Sequence, residues 1–121
     1  IIYSDSNKRK KLEDMIHPLV SKGLEEFLND NSSSEHIFLE IPLLFEAGFE
    51  KYCDYIITLL CPYELRLERA LERGLTKEMF ESIDKAQIPE EIKAKKSDFA
   101  INTNVKWEEE IAEFERVIES I

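Results

Sequence analysis

An α/β layer fold is what this sequence predicts, from two short apolar runs and the stretches of helical periodicity around them. Ile37 to Ile41 and Tyr55 to Leu60 are rich in β-branched and aromatic residues, and they close at Pro42 and at Cys61-Pro62. Such runs read as strands buried on both faces of a parallel sheet. Helical segments precede, separate and follow them, and strands alternating with helices define an α/β architecture. The chain has 121 residues, 43% hydrophobic and 35% charged, enough for one domain with a core of its own. It shows no internal repeat and no linker long enough to separate two domains.

The first element is a long helix. Leu12, Met15, Ile16, Leu19, Val20, Leu24, Phe27 and Leu28 recur at helical spacing after the capping candidates Ser4, Asp5 and Ser6. Pro18 is expected to break it in two. The polar run Asn29 to Ser34 ends it and leads to the strand at Ile37 to Ile41. After the second strand, Tyr63 to Arg73 reads as a helix ended by Gly74, and Thr76 is placed to cap a helix running toward Gln87. Pro89-Glu90-Glu91 starts a short third helix of this group, with acids against the positive end of its dipole. Phe99-Ala100-Ile101 is a third strand, Asn104 a cap candidate, and Trp107, Ile111, Phe114, Val117, Ile118 and Ile121 form the apolar stripe of a closing helix, expected to face the core.

Composition excludes several functions. No stretch approaches the roughly 18 to 20 apolar residues of a membrane span, and the N-terminus lacks signal-peptide features, so the cytoplasm is the expected compartment and no membrane is a partner. Lys and Arg number 16 against 26 Asp and Glu, a formal charge of -10, which repels polyanions and argues against nucleic acid. A small phosphorylated ligand stays compatible, because a local Arg and Lys cluster binds one within an acidic protein. Cys53 and Cys61 flank one strand, roughly 25 Å apart at about 3.3 Å per residue, beyond disulfide reach. Unpaired thiols without metal-ligand spacing fit a reducing compartment and an apolar, structural role.

Candidate functional residues fall in three groups. Pro42-Leu43-Leu44-Phe45-Glu46 opens at the carboxyl end of a strand, where α/β sheets bind ligands, although the same pattern also serves as plain strand punctuation. Arg66, Arg69 and Arg73 share one helix face, either as a solvated surface paired with Glu68 and Glu72 or as guanidinium groups aimed at phosphates. Lys93, Lys95 and Lys96 form a second basic cluster. His17, before Pro18, has either a structural or a ligand-contacting role; His36 merely opens a strand. Two scattered histidines make no metal site, and no serine or cysteine triad is present.

The order of these motifs is more specific than any one of them. Leu12-Glu13 with His17-Pro18-Leu19-Val20, then Pro42-Leu43-Leu44-Phe45-Glu46, Asp54-Tyr55-Ile56-Ile57, Arg69 and Arg73 ahead of Gln87, and Ser97-Asp98 with Asn102 and Asn104, resemble dephospho-coenzyme A kinases from end to end. That family transfers phosphate from ATP, with Mg2+, to the ribose 3′-hydroxyl of dephospho-coenzyme A, the last step of coenzyme A synthesis, on a P-loop kinase fold. The resemblance implies that His17 and Pro42, Leu43, Leu44, Phe45 and Glu46 face dephospho-coenzyme A. It implies that Arg69 and Arg73 belong to a lid over the ATP phosphates, and that Asn102 and Asn104 lie near adenine. Glu40 matches the acid that often ends the strand before this segment. By the same resemblance, residues 1–35 form a helical substrate-binding part, 36–62 the sheet core, 63–96 the lid helices, and 97–121 the last strand and closing helix.

Departures qualify the match. Thr103 stands near the place of a common Asn, Val105 where a Gly usually follows, and Ser97 in place of Ala before Asp98, the last expected to matter little. The larger departure is the P-loop. The only glycines, Gly23, Gly48 and Gly74, are not followed by Lys and then Ser or Thr, so no phosphate cradle of that type is encoded here. Opening at Ile1-Ile2-Tyr3, the chain is expected to be a partial P-loop kinase-like fold, an inactive fragment without its first strand, P-loop and catalytic acid, and with no ATP or Mg2+ bound. A missing central strand would leave sheet edges through which chains associate. A non-catalytic binding module related to P-loop kinases, or a fragment of another nucleotide or nucleoside kinase, are the alternatives.

Overall fold

The computed structural model describes residues 5–121 and divides into two compact units, one ending at Phe49 and the other Glu50–Ile121. The opening residues Ile1, Ile2 and Tyr3 and the cap candidate Ser4 lie outside the described residues.

In the first unit, α1 (Ser6–Asp30) begins at Asp5, whose carboxylate accepts the N–H groups of Asn7 and Lys8, both at 3.1 Å. This side chain satisfies two of the four donors that a helix N-terminus leaves open. Pro18 does not break the helix: α1 is continuous through it. A proline removes one i to i−4 bond, and here the turns on either side, with the Asp5 cap, carry the helix across the defect. At the other end, the Asn31 backbone N–H (3.1 Å) and side-chain amide (2.8 Å) both donate to the Phe27 carbonyl. No residue of α1 is buried, and Met15 (72%) and Leu19 (70%) are largely exposed.

The predicted strand Ile37 to Ile41 is not a strand. Residues 36–41 carry no regular structure, although Ile37, Leu39 and Ile41 are half-buried and Phe38 and Glu40 exposed. The rings of His36 and Phe38 stack with centroids 6.3 Å apart, as side chains two residues apart on one face of an extended chain do. The alternation of a strand is present; a place in a described ladder is not, and strand propensity acts only through such partners. Leu43 to Ala47 then forms one helical turn, closed by the Ala47 N–H to the Leu43 carbonyl at 3.0 Å. Gly48 (φ +72°) ends it in a Schellman motif: its N–H donates to the Phe45 carbonyl and that of Phe49 to the Leu44 carbonyl.

The second unit holds a parallel two-stranded sheet, β1 (Ile57–Leu60) and β2 (Phe99–Asn102), paired from Ile57 with Phe99 to Leu60 with Asn102. Between them run α2 (Tyr63–Glu72), α3 (Lys77–Lys85) and α4 (Glu90–Lys96), and α5 (Trp107–Glu119) closes the chain. The fold is a helix-rich α/β arrangement with parallel strands. Gly74 (φ +91°) closes α2 in a second Schellman motif, through Gly74 N–H to Leu71 and Leu75 N–H to Ala70. Thr76 caps α3 by accepting the Met79 N–H at 3.1 Å.

Three expectations about this unit fail. β1 is not buried on both faces, since Leu59 is 59% exposed; with two strands each is an edge, and α4 packs on β1 while α5 packs on β2. The stripe on α5 is not core: only Val117 is buried, and Trp107 stands 68% exposed, because a four-residue strand is too short to cover the helix. Asn104 is not the cap of α5; that position is Lys106, which makes no side-chain cap bond. Glu108, Glu109 and Glu110 in the first turn oppose the helix dipole instead. The core among the described residues comprises Ala70, Phe80, Ile101 and Val117 here, and Phe49 in the first unit.

Candidate functional site

The first unit gathers the residues assigned to the acceptor. His17 lies half-buried on α1, its ring edge-on to that of buried Phe49 at 5.8 Å. Phe49 in turn is tied through its N–H to Leu44 within the turn, so His17 is brought against the segment that Pro42 opens. Pro42 is exposed, whereas Leu43, Leu44, Phe45 and Glu46 are half-buried. Glu46 Oε1 is enclosed. Because the backbone of this turn bonds internally, its side chains are presented from a fixed frame.

The second unit holds the arginines. Arg66 faces inward: Nη1 donates to Asp84 Oδ1 at 2.7 Å and Nε to the Cys61 carbonyl at 3.1 Å. Burial pulls its pKa down, but the Asp84 bond and the charges of Asp84, Glu90 and Cys61 outweigh burial and the net direction is up. Glu68 and Glu72 are not its partners. Arg69 on α2 and Arg73 at its C-terminal cap, four residues apart, are exposed and make no ion pair within 4.0 Å among the described residues. Arg69 Nη1 lies 3.7 Å from Cys61 Sγ. Two exposed guanidinium groups on one face are able to hold a phosphate chain bidentately.

Asn102, at the end of β2, and Asn104 just past it meet where the Asn102 side-chain oxygen accepts the Asn104 N–H at 2.9 Å. Thr103 is held apart from them, its hydroxyl and N–H both donating to the Leu60 carbonyl, at 2.7 and 2.8 Å. Asn102 borders a groove of about 570 Å³ between β2 and α5, lined also by Glu108, Glu109 and Glu113. Arg116 lines it too but pairs with Glu113 at 3.1 Å, so the carboxylates outweigh it and disfavour a phosphate there. Ser97, read in the sequence as an inconsequential change, joins elements: its hydroxyl donates to the Lys93 carbonyl at 2.8 Å and meets the Thr58 hydroxyl of β1. The neighbouring Asp98 also joins elements, its carboxylate accepting the Ile56 N–H at 2.8 Å. Both thiols are free. No group of three or more His, Cys, Asp or Glu able to hold a metal occurs among the described residues.

A family profile described as dephospho-CoA kinase matches residues 1–109. The chain belongs to the dephospho-CoA kinase family. The dephospho-CoA kinase of Rickettsia felis is 38% identical over 122 residues, covering all of this chain and 62% of the relative. That of Aquifex aeolicus is 35% identical over 121 residues, again covering all of this chain and 62% of its own length. The crystal structure of TT1252 from Thermus thermophilus superposes with a TM-score of 0.74 at 33% identity, over 99% of this chain and 63% of that one. The chain therefore spans less than two thirds of the dephospho-CoA kinases it resembles. No described helix is long and apolar enough to cross a membrane.

Proposed function

We propose that this chain supplies the acceptor-binding segment and the phosphate lid of a dephospho-CoA kinase. The reaction is transfer of the γ-phosphoryl group of ATP to the ribose 3′-hydroxyl of dephospho-CoA: an O–P bond forms to the hydroxyl, the bond to ADP breaks, and the hydroxyl proton is lost. The observation that carries the proposal is the internally bonded turn at Pro42 to Glu46, placed against His17 in a chain whose family match runs over residues 1–109. His17, Leu43, Leu44, Phe45 and Glu46 hold dephospho-CoA; Arg69 and Arg73 draw the negative charge of the ATP phosphates. Asn102 and Asn104 contact adenine, with the Asn102 side-chain amide free to donate while its oxygen holds the loop. Residues 1–35, 36–62, 63–96 and 97–121 are the corresponding substrate-binding, sheet, lid and closing parts.

The Mg2+ that this reaction class uses finds no group of three or more His, Cys, Asp or Glu to hold it among the described residues. The three glycines have other uses, Gly23 within α1 and Gly48 and Gly74 in left-handed turns. With no Gly-Lys-Ser or Gly-Lys-Thr in the 121 residues, this polypeptide binds but does not turn over. Calorimetric titration against dephospho-CoA and against nucleoside monophosphates tests the assignment. Preferential binding of dephospho-CoA is expected; preference for a monophosphate would contradict the assignment of the Pro42 to Glu46 segment to the acceptor. Because β1 and β2 are both edges, copies are expected to associate through them, which sedimentation at rising concentration measures; a monomer at all concentrations contradicts it.

A further inference from the structure

The guanidinium of Arg66 is shared among elements in a way that nothing in the phosphate chemistry requires. Nη1 reaches Asp84 on α3 at 2.7 Å. Nε reaches the Cys61 carbonyl just past β1 at 3.1 Å and lies 3.7 Å from Glu90 Oε2 at the start of α4. Glu90 answers with its other oxygen, which accepts the Cys61 N–H at 2.9 Å. The guanidinium carbon also sits 5.8 Å from the Tyr63 ring and 5.9 Å from that of buried Phe80, so its orientation is fixed by packing as well as by charge. One side chain thus ties together the end of β1 and all three helices that follow.

Arg66 stands three residues before Arg69 on α2 and seven before Arg73, which caps the end of that helix. At 3.6 residues per turn, Arg73 projects within about 20° of the direction of Arg66, and Arg69 within about 60°. Fixing the azimuth of Arg66 therefore fixes that of the two exposed arginines. Arg69 reaches the same residue, with its Nη1 3.7 Å from Cys61 Sγ.

We infer that Arg66 is a positioning residue, whose bonds to Asp84, Glu90 and the Cys61 carbonyl join α2, α3 and α4 into one body and so set the aim of Arg69 and Arg73. Its value for ligand binding rests on the reading of those two arginines as phosphate contacts; its role in joining the helices does not. A planar fork that addresses several acceptors suits this task, and a lysine ammonium, a single point charge, fills it only in part.

The test uses the 121-residue chain, with amide residual dipolar couplings for helix orientation and inorganic triphosphate as the probe. In the unmodified chain, couplings from α2, α3 and α4 fit one alignment tensor. Arg66→Met is expected to break that fit while keeping its helical circular dichroism, and to weaken triphosphate binding roughly tenfold. Arg66→Lys restores part of both. Asp84→Asn, a milder change, moves both in the same direction and decides the matter should Arg66→Met fail to fold. A single tensor and unchanged affinity in Arg66→Met, or in Asp84→Asn where only that variant folds, would overturn the inference. Absence of triphosphate binding to the unmodified chain removes the phosphate reading of Arg69 and Arg73, and the couplings still decide the role of Arg66.

Discussion

Phe45 and Glu46 occupy a turn whose backbone bonds close within itself, so their side chains are replaceable without unravelling it. Phe45→Ala is expected to weaken dephospho-CoA binding by about 1–2 kcal/mol, measured by calorimetry, with little change in thermal midpoint. Equal loss of stability and affinity would make Phe45 a packing residue instead. Cys53 offers a prediction in pH. Burial foremost, then the charges of Asp54 and Glu50, raise its thiol above the ordinary value of 9.0. The native state therefore favours the neutral thiol; its contribution is fully present below the unfolded pKa and lost as pH climbs from there through the folded one. Denaturant midpoints of the native chain should fall more steeply above pH 9 than those of Cys53→Ser; parallel curves would refute this. Spacing put Arg66, Arg69 and Arg73 near one helix face, and the exposure of Arg69 and Arg73 agrees with that, whereas the inward turn of Arg66 was not readable from it. Its partners lie 18 and 24 residues on, at Asp84 and Glu90, beyond any local pattern.

Local chemistry made most element boundaries legible. Asp5, Thr76 and Gly74 act where their residue types direct, and β1, β2 and α2 to α5 fall where periodicity puts them. What failed was tertiary. Ile37 to Ile41 has strand composition and alternating burial, but a strand exists only with a partner, which composition does not report. Pro18 shows the reverse, a local rule overridden by the helix on either side. Pro18→Ala should restore the missing helical bond and raise the unfolding free energy, by up to about 3 kcal/mol from helix propensity. A lower denaturant midpoint would mean that proline is needed for the contact of His17 with Phe49. At Gly74 (φ +91°) an added Cβ meets nothing within 4 Å, so Gly74→Ala carries only left-handed strain, about 1–2 kcal/mol on the same scale.

At the scale of the whole molecule, family was legible because five motifs kept their order through the chain, and no single one sufficed. The exposed faces of α1 and α5 were not legible, since an apolar stripe states that a helix seeks a partner and not whether this chain provides it. Mixed with ATP and dephospho-CoA, the 121-residue polypeptide is expected to form no product above background in a coupled ADP assay; clear product would show that phosphates are held without a Gly-Lys-Ser or Gly-Lys-Thr loop. The most direct test maps amide shifts during separate titrations with dephospho-CoA and inorganic triphosphate. Dephospho-CoA should perturb His17 and Leu43 to Ala47, and triphosphate Arg69 and Arg73. Perturbation of the β2–α5 groove by triphosphate, or no response of the Pro42 to Glu46 segment to dephospho-CoA, would contradict the assignment of acceptor segment and lid.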